Sequence, residues 1–195
     1  GLEIFQALEG HQEVDLCLVV TQFQENSADP WRNAVYDYAI RKNMRTITQA
    51  DISFEDLAIE IVDNDIDLLV CHSFMRILPA EVLSKPKYKP GCINVHASLL
   101  PRYRGPSPTY WVLENGEKKT GLTCHYMDEG VDTGDIICQV EVPVFATDTI
   151  GAIIDRQKGI VKELIDESIK RLQDRAFHPF TQDHTIATYA PRPST

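Results

Sequence analysis

The segment that most clearly predicts the fold is residues 67–96 (DLLVCHSFMRILPAEVLSKPKYKPGCINVH), in which two apolar runs flank a short helical segment. Short apolar runs bounded by turn signals are typical of buried strands. The runs cover 67–73 and 92–96, and the segment between them, near 79–83, begins with a proline as helices often do. Buried strands that alternate with helices predict an α/β fold with a mostly parallel, doubly wound sheet.

The same alternation continues towards the N-terminus. Residues 14–21 (VDLCLVVT) predict another buried strand, and a short strand is expected near 45–48. Helices are predicted over 31–42, after a polar turn at 26–30, and over 53–62, where Ser53 and Asp56 resemble a capping box. The apolar spacing of residues 2–8 predicts that the chain opens with a helix. Because an α/β unit normally begins with a strand, we expect either that the first strand is missing from this chain or that the sheet is one strand smaller than usual.

The pattern changes after residue 121. Two strands, 122–127 and 136–144, are joined by eight residues and predict an antiparallel hairpin at one edge of the sheet. Apolar residues then keep helical spacing from 150 to 172, which predicts one long amphipathic C-terminal helix. We therefore expect one domain over 1–175 and a C-terminal extension over 176–195.

Composition limits the function classes. The 195 residues include 43% hydrophobic and 25% charged residues, as in a globular domain, and no apolar run is long enough for a membrane helix. The N-terminus has no signal-peptide pattern. Five widely spaced cysteines predict reduced thiols and a cytoplasmic protein without a membrane partner.

The net charge of −10 is unevenly distributed. Residues 1–70 hold 14 acidic and 4 basic residues, whereas 76–104 hold six basic residues and one acidic residue. This basic stretch is too narrow for a typical nucleic-acid surface, whose affinity comes from many neutralised phosphates. It favours a small anionic ligand.

Two polar residues at the end of the 92–96 strand are the best candidates for chemistry. Asn94 and His96 are two residues apart, so their side chains share one face of the sheet. An amide and a protonated imidazole suit the stabilisation of an oxyanion, and a carboxylate from the turn 128–135 would raise the pKa of the histidine. The same two side chains could instead satisfy backbone groups at the end of the strand, so the residue pattern leaves both interpretations open.

A family resemblance makes the first interpretation specific. Residues 91–105 (GCINVHASLLPRYRG) and 128–136 (DEGVDTGDI) resemble the catalytic core of the 10-formyltetrahydrofolate-dependent formyltransferases. The resemblance covers roughly residues 1–175 and is closest to the catalytic domains of methionyl-tRNA and amino-sugar formyltransferases. Residues 74–78 (FMRIL) resemble the folate loop of glycinamide ribonucleotide formyltransferase.

The resemblance implies a mechanism and a set of site residues. Asn94 and His96 would hold the oxyanion while an amine attacks the formyl group, and Asp132, which precedes the Thr-Gly pair of the turn, would keep His96 charged. The cosubstrate would be 10-formyltetrahydrofolate, and no metal is expected, since the histidines and cysteines lack the spacing of a zinc site. The implied folate-binding residues are Met75, Arg76, Ile77, Leu78, Ser98, Leu99, Leu100 and Pro101.

The acceptor is the least determined part of the hypothesis. The chain ends soon after the long helix and residues 187–192 resemble a segment of amino-sugar formyltransferases, so we expect a small-molecule amine, with an amino sugar nucleotide favoured and tRNA a doubtful acceptor. Alternatives are methionyl-tRNA or glycinamide ribonucleotide formyl transfer, hydrolysis of 10-formyltetrahydrofolate, and a folate-binding module without catalysis. The sequence predicts no oligomeric state.

Overall fold

The computed structural model describes residues 1–27, 33–74 and 76–194. The predicted turn 26–30 and the start of the predicted helix 31–42 lie partly outside these residues. The described elements, in chain order, are α1 (Leu2–Glu9), β1 (Val19–Thr21), α2 (Ala34–Arg41), β2 (Thr46–Thr48), α3 (Phe54–Asp63), β3 (Leu69–Cys71), α4 (Ala80–Leu83), β4 (Cys92–His96), α5 (Pro108–Glu114), β5 (Lys119–Tyr126), β6 (Ile136–Pro143), α6 (Ile150–Gly159), α7 (Val161–Gln173) and a 3-10 turn at His184–Ile186.

The strands form two sheets within the described residues. β1 and β2 pair in parallel, and the second sheet has the order β3-β4-β5-β6, with β3 parallel to β4 and the other pairs antiparallel. The expected α/β class and the hairpin of β5 and β6 are therefore confirmed. A cavity of about 720 Å³ lies between the two sheets and is lined by residues of β1, β3 and α1. The missing first strand stays a prediction.

Helices cover both faces of the larger sheet because its strands are apolar on both sides. On β3, Val70 packs in one cluster with α1 and α7, while Leu69 and Cys71 pack in another with α3 and α4. On β4, Ile93 and Val95 point into the α7 cluster. Since side chains alternate along a strand, Asn94 and His96 must lie on the face away from α7.

The predicted long C-terminal helix spans Ile150 to Gln173 as two helices that meet at Ile160. Ile160 leaves helical geometry directly after Gly159, a residue that weakens helix interiors. Helix α6 begins at Thr149, whose side chain accepts a hydrogen bond from Ala152 N at 3.2 Å. In the described ranges, none of the helices combines the length and apolarity needed to cross a bilayer.

The C-terminal segment pairs with two parts of the domain. Phe180 exchanges two backbone hydrogen bonds with Ile136, at 2.8 and 2.9 Å. Arg104 N donates to Thr188 O at 2.9 Å, and Ala190 N donates to Arg104 O at 2.6 Å. The segment predicted as a C-terminal extension is thus paired with the start of β6 and with the loop that carries Arg104.

Substitutions of two neighbouring isoleucines of α6 test which face of this helix is buried. Ile153 is fully buried beside Tyr103 and Val112, whereas Ile154 is 39% exposed. We expect Ile153→Ala to lower the free energy of unfolding by about 2–5 kcal/mol, because it leaves a cavity in the core. Ile154→Ala, the matched control, should cost roughly 0.5–1 kcal/mol. Urea denaturation measures both, and equal losses would contradict this assignment of the buried face.

Candidate active site

Strands β4 and β5 place three polar side chains on one face of the sheet. Asn94 lies directly opposite His125 in the antiparallel register, and His96 lies opposite Thr123. Directly opposite residues of an antiparallel pair project from the same face. The imidazole of His125, only 2% exposed, therefore lies beside the amide of Asn94, with Nε2 3.1 Å from Asn94 Nδ2.

The turn between β5 and β6 supplies the carboxylate. Asp128 shapes the turn, because its Oδ1 accepts hydrogen bonds from Gly130 N at 3.0 Å and Thr133 Oγ1 at 2.6 Å. Asp132 has a φ of 53°, in the left-handed region that aspartate adopts more readily than most residues. Its side chain is 14% exposed and points at the β4–β5 face.

Polar groups contact the Asp132 carboxylate on four sides. Its Oδ1 accepts a hydrogen bond from Asn94 Nδ2 at 3.3 Å and lies 3.5 Å from His125 Nε2. Its Oδ2 accepts a hydrogen bond from Gly105 N at 2.8 Å and lies 3.4 Å from His96 Nδ1. The other two predicted catalytic side chains, Asn94 and His96, thus meet at the Asp132 carboxylate.

The second nitrogen of His96 is also occupied. His96 Nε2 lies 2.7 Å from Tyr103 O, and a carbonyl can only accept, so this nitrogen carries a proton. Ser98 supports the same loop by donating from Oγ to Arg102 O at 2.7 Å. Acceptors therefore face both ring nitrogens of His96, an arrangement that suits the doubly protonated ring.

Burial acts against that charge. Desolvation lowers the pKa of His96 below its ordinary value, and although Asp132 and the Tyr103 carbonyl favour the charged ring, they do not reverse the shift. Burial and the neighbouring carboxylate therefore act in opposite directions on the pKa of His96, and the charged state expected for this ring stays a prediction. Burial also raises the pKa of Asp132, but the contacts with His125, His96 and Gly105 N outweigh it and hold this pKa below its ordinary value.

Sequence reasoning missed His125 as a member of the site. Residue 125 follows Cys124 on a strand whose pairing with β4 was not predicted, so nothing linked it to Asn94. The antiparallel register of β4 and β5 would have identified His125, because it places residue 94 opposite 125 and residue 96 opposite 123. The backbone groups Gly105 N and Tyr103 O were missed as well, since spacing does not identify backbone donors and acceptors.

The residues predicted to bind folate fall into two groups. Leu78, Ser98 and Leu100 are at most 3% exposed, so their side chains pack inside the protein. Ile77 is 64% exposed. Leu99 and Pro101 are half-buried, and Met75 lies outside the described residues.

Leu78 and Met127 belong to one apolar cluster, which places the 76–78 loop beside the start of the Asp132 turn. The guanidinium group of Arg76 stacks 3.8 Å from the centre of the Phe54 ring and donates to Ile52 O at 3.0 Å. The same nitrogen also donates to Gln49 O at 3.3 Å, so these contacts hold one side of the guanidinium group against backbone carbonyls.

Two of the three arginines of the predicted anion-binding stretch, Arg102 and Arg104, already have partners. Arg102 forms an ion pair with Glu117, and Arg104 donates to Gln182 Oε1 at 2.6 Å from its terminal nitrogen. Neither guanidinium group is therefore a free anion site in this arrangement. In the part of the chain that the structure describes, no three His, Cys, Asp or Glu side chains form a metal-binding group.

Comparison with known proteins agrees with the motifs. A family model described as formyl transferase matches residues 2–169. Methionyl-tRNA formyltransferase of Acetivibrio thermocellus is 36% identical over 183 residues, which are 92% of this chain and 58% of that protein. This chain spans about half the length of the curated relatives it matches. The resemblance inferred from the sequence is confirmed.

Solved structures share the fold. Glycinamide ribonucleotide transformylase 1 from Geobacillus kaustophilus has a TM-score of 0.73 and 27% identity, with coverage of 88% of this chain and 93% of that one. WlaRD, a sugar 3N-formyl transferase studied in the presence of dTDP and 5-N-formyl-THF, has a TM-score of 0.75 and 22% identity, with coverage of 98% and 65%. The second similarity concerns the fold alone.

One expectation is overturned by these relatives. The sequence argument treated tRNA as a doubtful acceptor, because the chain ends soon after the long helix and is acidic. Relatives that are 36 to 39% identical over most of this chain are methionyl-tRNA formyltransferases. Neither criterion decides the acceptor, since this chain matches only about half the length of those relatives and its acidic excess lies in residues 1–70.

One substitution separates the effect of the Asp132 carboxylate on the pKa of His96 from the effect of burial. Asp132→Asn removes the carboxylate that favours the charged ring, so the pKa of His96 should fall further below its ordinary value. Histidine ring NMR signals followed against pH measure this change. Glu129→Gln, which removes an exposed carboxylate of the same turn, is the control and should leave the His96 titration unchanged. An identical titration in both variants would contradict the assigned contact.

Proposed function

The chain belongs to the formyl transferase family, and we propose that it transfers the formyl group of 10-formyltetrahydrofolate to an amine. The observation that carries this proposal is the convergence of Asn94, His96 and His125 on the Asp132 carboxylate, within the residues that the family model matches. In the reaction, the amine nitrogen bonds to the formyl carbon, the bond from that carbon to the folate nitrogen breaks, and one proton passes from the amine to that nitrogen.

Asn94 is proposed to stabilise the oxyanion that forms during attack. Both N–H groups of its amide are engaged, one with Asp132 Oδ1 at 3.3 Å and one with His125 Nε2 at 3.1 Å. These contacts are longer than a typical strong hydrogen bond, and catalytic hydrogen bonds often shorten only when substrate binds. One N–H can therefore turn to the formyl oxygen while the other keeps the amide in place.

Asp132 is proposed to accept the proton of the amine, and His96 is proposed to stabilise the Asp132 carboxylate. The lowered pKa of Asp132 keeps it ionised and able to accept the amine proton, directly or through a water molecule. His96 Nδ1, 3.4 Å from Oδ2, stabilises the carboxylate and supplies a proton to the oxyanion when the ring is charged. We propose no covalent link between the protein and the formyl group.

The folate ring system is proposed to bind beside the Asp132 turn. Ile77 offers exposed apolar surface, and Leu99 and Pro101 are partly accessible on the neighbouring loop. Buried Leu78, Ser98 and Leu100 support that surface from behind, while Met75 and Arg76 complete the proposed set. The crystal structure of WlaRD in the presence of 5-N-formyl-THF supports a folate ligand for this fold.

Methionyl-tRNA is the acceptor that the comparisons favour, through the relative that is 36% identical over 92% of this chain. An amino sugar nucleotide, which the sequence argument favoured, has support from WlaRD, whose likeness concerns the fold. We further propose a cytoplasmic protein, because all five cysteines are free thiols and four of them are buried.

Loss of the Asn94 amide tests the mechanism. We expect Asn94→Ala to lower kcat by about 100- to 1,000-fold, because an oxyanion donor is removed. Asn64→Ala, at the end of α3, is the control and should keep wild-type kcat. Formyl transfer is measured from the tetrahydrofolate released. A loss smaller than about tenfold would rule out Asn94 as the principal donor.

An acceptor panel identifies the substrate. Wild-type protein is incubated with 10-formyltetrahydrofolate and methionyl-tRNA, a nucleotide-linked amino sugar or glycinamide ribonucleotide. We expect the highest kcat/KM with methionyl-tRNA. Formate release at the same rate without any amine would indicate a hydrolase, and folate binding without turnover on any acceptor would indicate a binding module.

A further inference from the structure

One buried glutamine connects the C-terminal segment to the active-site turn. Gln182 is 3% exposed, and its Nε2 donates to Asp132 O at 3.0 Å and to Gly134 O at 2.7 Å. Its Oε1 accepts from Arg104 at 3.2 Å from Nε and 2.6 Å from a terminal nitrogen. The amide nitrogen and the amide oxygen of Gln182 are therefore both hydrogen-bonded. Together they join the Asp132 turn to the loop that carries Arg104.

We propose that Gln182 is a positioning residue that locks the Asp132 turn against the loop carrying Gly105, and so aims the Asp132 carboxylate at Asn94 and His96. The proposal rests on the proposed function only in assigning Asp132 a part in formyl transfer. Gln182 itself touches no reacting group, so its effect must pass through the turn.

The backbone of Asp132 needs such support. A φ of 53° costs aspartate less than most residues but more than glycine, and surrounding contacts help to hold it. The hydrogen bonds from Gln182 fix the carbonyl of Asp132 itself and the carbonyl of Gly134, two residues further along the chain. The direction of the Asp132 side chain depends on the same backbone, so the glutamine controls where the carboxylate points.

Gln182 also restrains the loop that faces the turn. We call its contacts with the Asp132 turn and with Arg104 the clamp. Gly105 N donates to Asp132 Oδ2 at 2.8 Å, and the preceding residue, Arg104, is held by its side chain on Gln182 and by its backbone on Thr188 and Ala190. The C-terminal segment therefore restrains both partners of the Gly105–Asp132 hydrogen bond. The family model ends at residue 169, so this restraint comes from outside the matched region.

Gln182→Met tests the clamp, because methionine keeps the length and volume of the side chain but donates no hydrogen bond. A misplacement of a reacting group by about 1 Å can cost about 100-fold in rate, so we expect kcat to fall by roughly 10- to 100-fold. The KM for 10-formyltetrahydrofolate should change little, since the glutamine does not line the proposed folate surface. The acid limb of the kcat/KM profile should move to higher pH, because Asp132 loses contacts that lower its pKa.

A matched control separates positioning from stability. Gln157 is 4% exposed, and its Nε2 donates to Ala97 O at 3.1 Å and Gly121 O at 2.9 Å, the same pattern of one buried amide on two carbonyls. Gln157→Met should lower Tm as much as Gln182→Met does. It should leave the pH profile of kcat/KM unchanged.

A second readout does not depend on activity. His96 reports the position of Asp132, so its ring NMR titration should shift to lower pH in Gln182→Met and stay as in wild type in Gln157→Met. If wild-type protein formylates no acceptor, the proposed function fails, and this titration still decides whether the clamp exists. An unchanged titration together with wild-type kcat in Gln182→Met would overturn the proposal.

Gln182→Glu tests whether the N–H donors of the amide are the groups that hold the turn. It also replaces the methionine variant if that variant does not fold. Glutamate keeps an acceptor for Arg104 but cannot donate to the carbonyls of Asp132 and Gly134 at neutral pH. The proposal expects a loss of kcat and a His96 shift similar to those of the methionine variant. Wild-type values for both would show that the donors to the turn are dispensable, and would overturn it.

Discussion

The Asp132 carboxylate is largely buried, so its oxygens need polar partners. This requirement explains how the strands and the loop around Asp132 are arranged. Burying an unpaired carboxylate costs several kcal/mol, far more than any one hydrogen bond returns. Its two oxygens contact Asn94, His96, His125 and the backbone N–H of Gly105. These groups come from β4, β5 and a loop, so the site exists only when all three are docked.

Burial of His96 in the same low-polarity setting that strengthens these contacts opposes its charge. A carboxylate and a carbonyl face its two nitrogens, yet the loss of water around the ring is the larger effect and lowers its pKa. Two acceptors that favour the charged ring are thus opposed by burial that disfavours it. Binding of a group that develops negative charge next to the ring would shift this balance towards protonation, since an added anion favours the charged form.

The parts of the site that sequence could predict are those defined by local spacing. Asn94 and His96 share a face because strand side chains alternate, and the two strands of the hairpin were visible as apolar runs. His125 could not be identified without the register that sets it opposite Asn94. The effect of burial on the pKa of His96 could not be predicted, because burial depends on the whole fold, whereas the neighbouring carboxylate could be inferred from a motif. The break at Ile160 follows from Gly159, a residue whose effect on a periodic pattern is easily outweighed by the apolar spacing around it.

The distances around Asp132 explain how a packed site can still admit a substrate. The contact with the backbone, Gly105 N to Oδ2, is the short one at 2.8 Å, and the Gln182 amide fixes the carbonyl of the same residue at 3.0 Å. The side chains of Asn94, His96 and His125 stand 3.3 to 3.5 Å from the carboxylate. The backbone contact is therefore the closest one that anchors Asp132. In the proposed reaction, the longer side-chain contacts are the ones that a formyl oxygen or an amine would replace, because hydrogen bonds weaken as they lengthen.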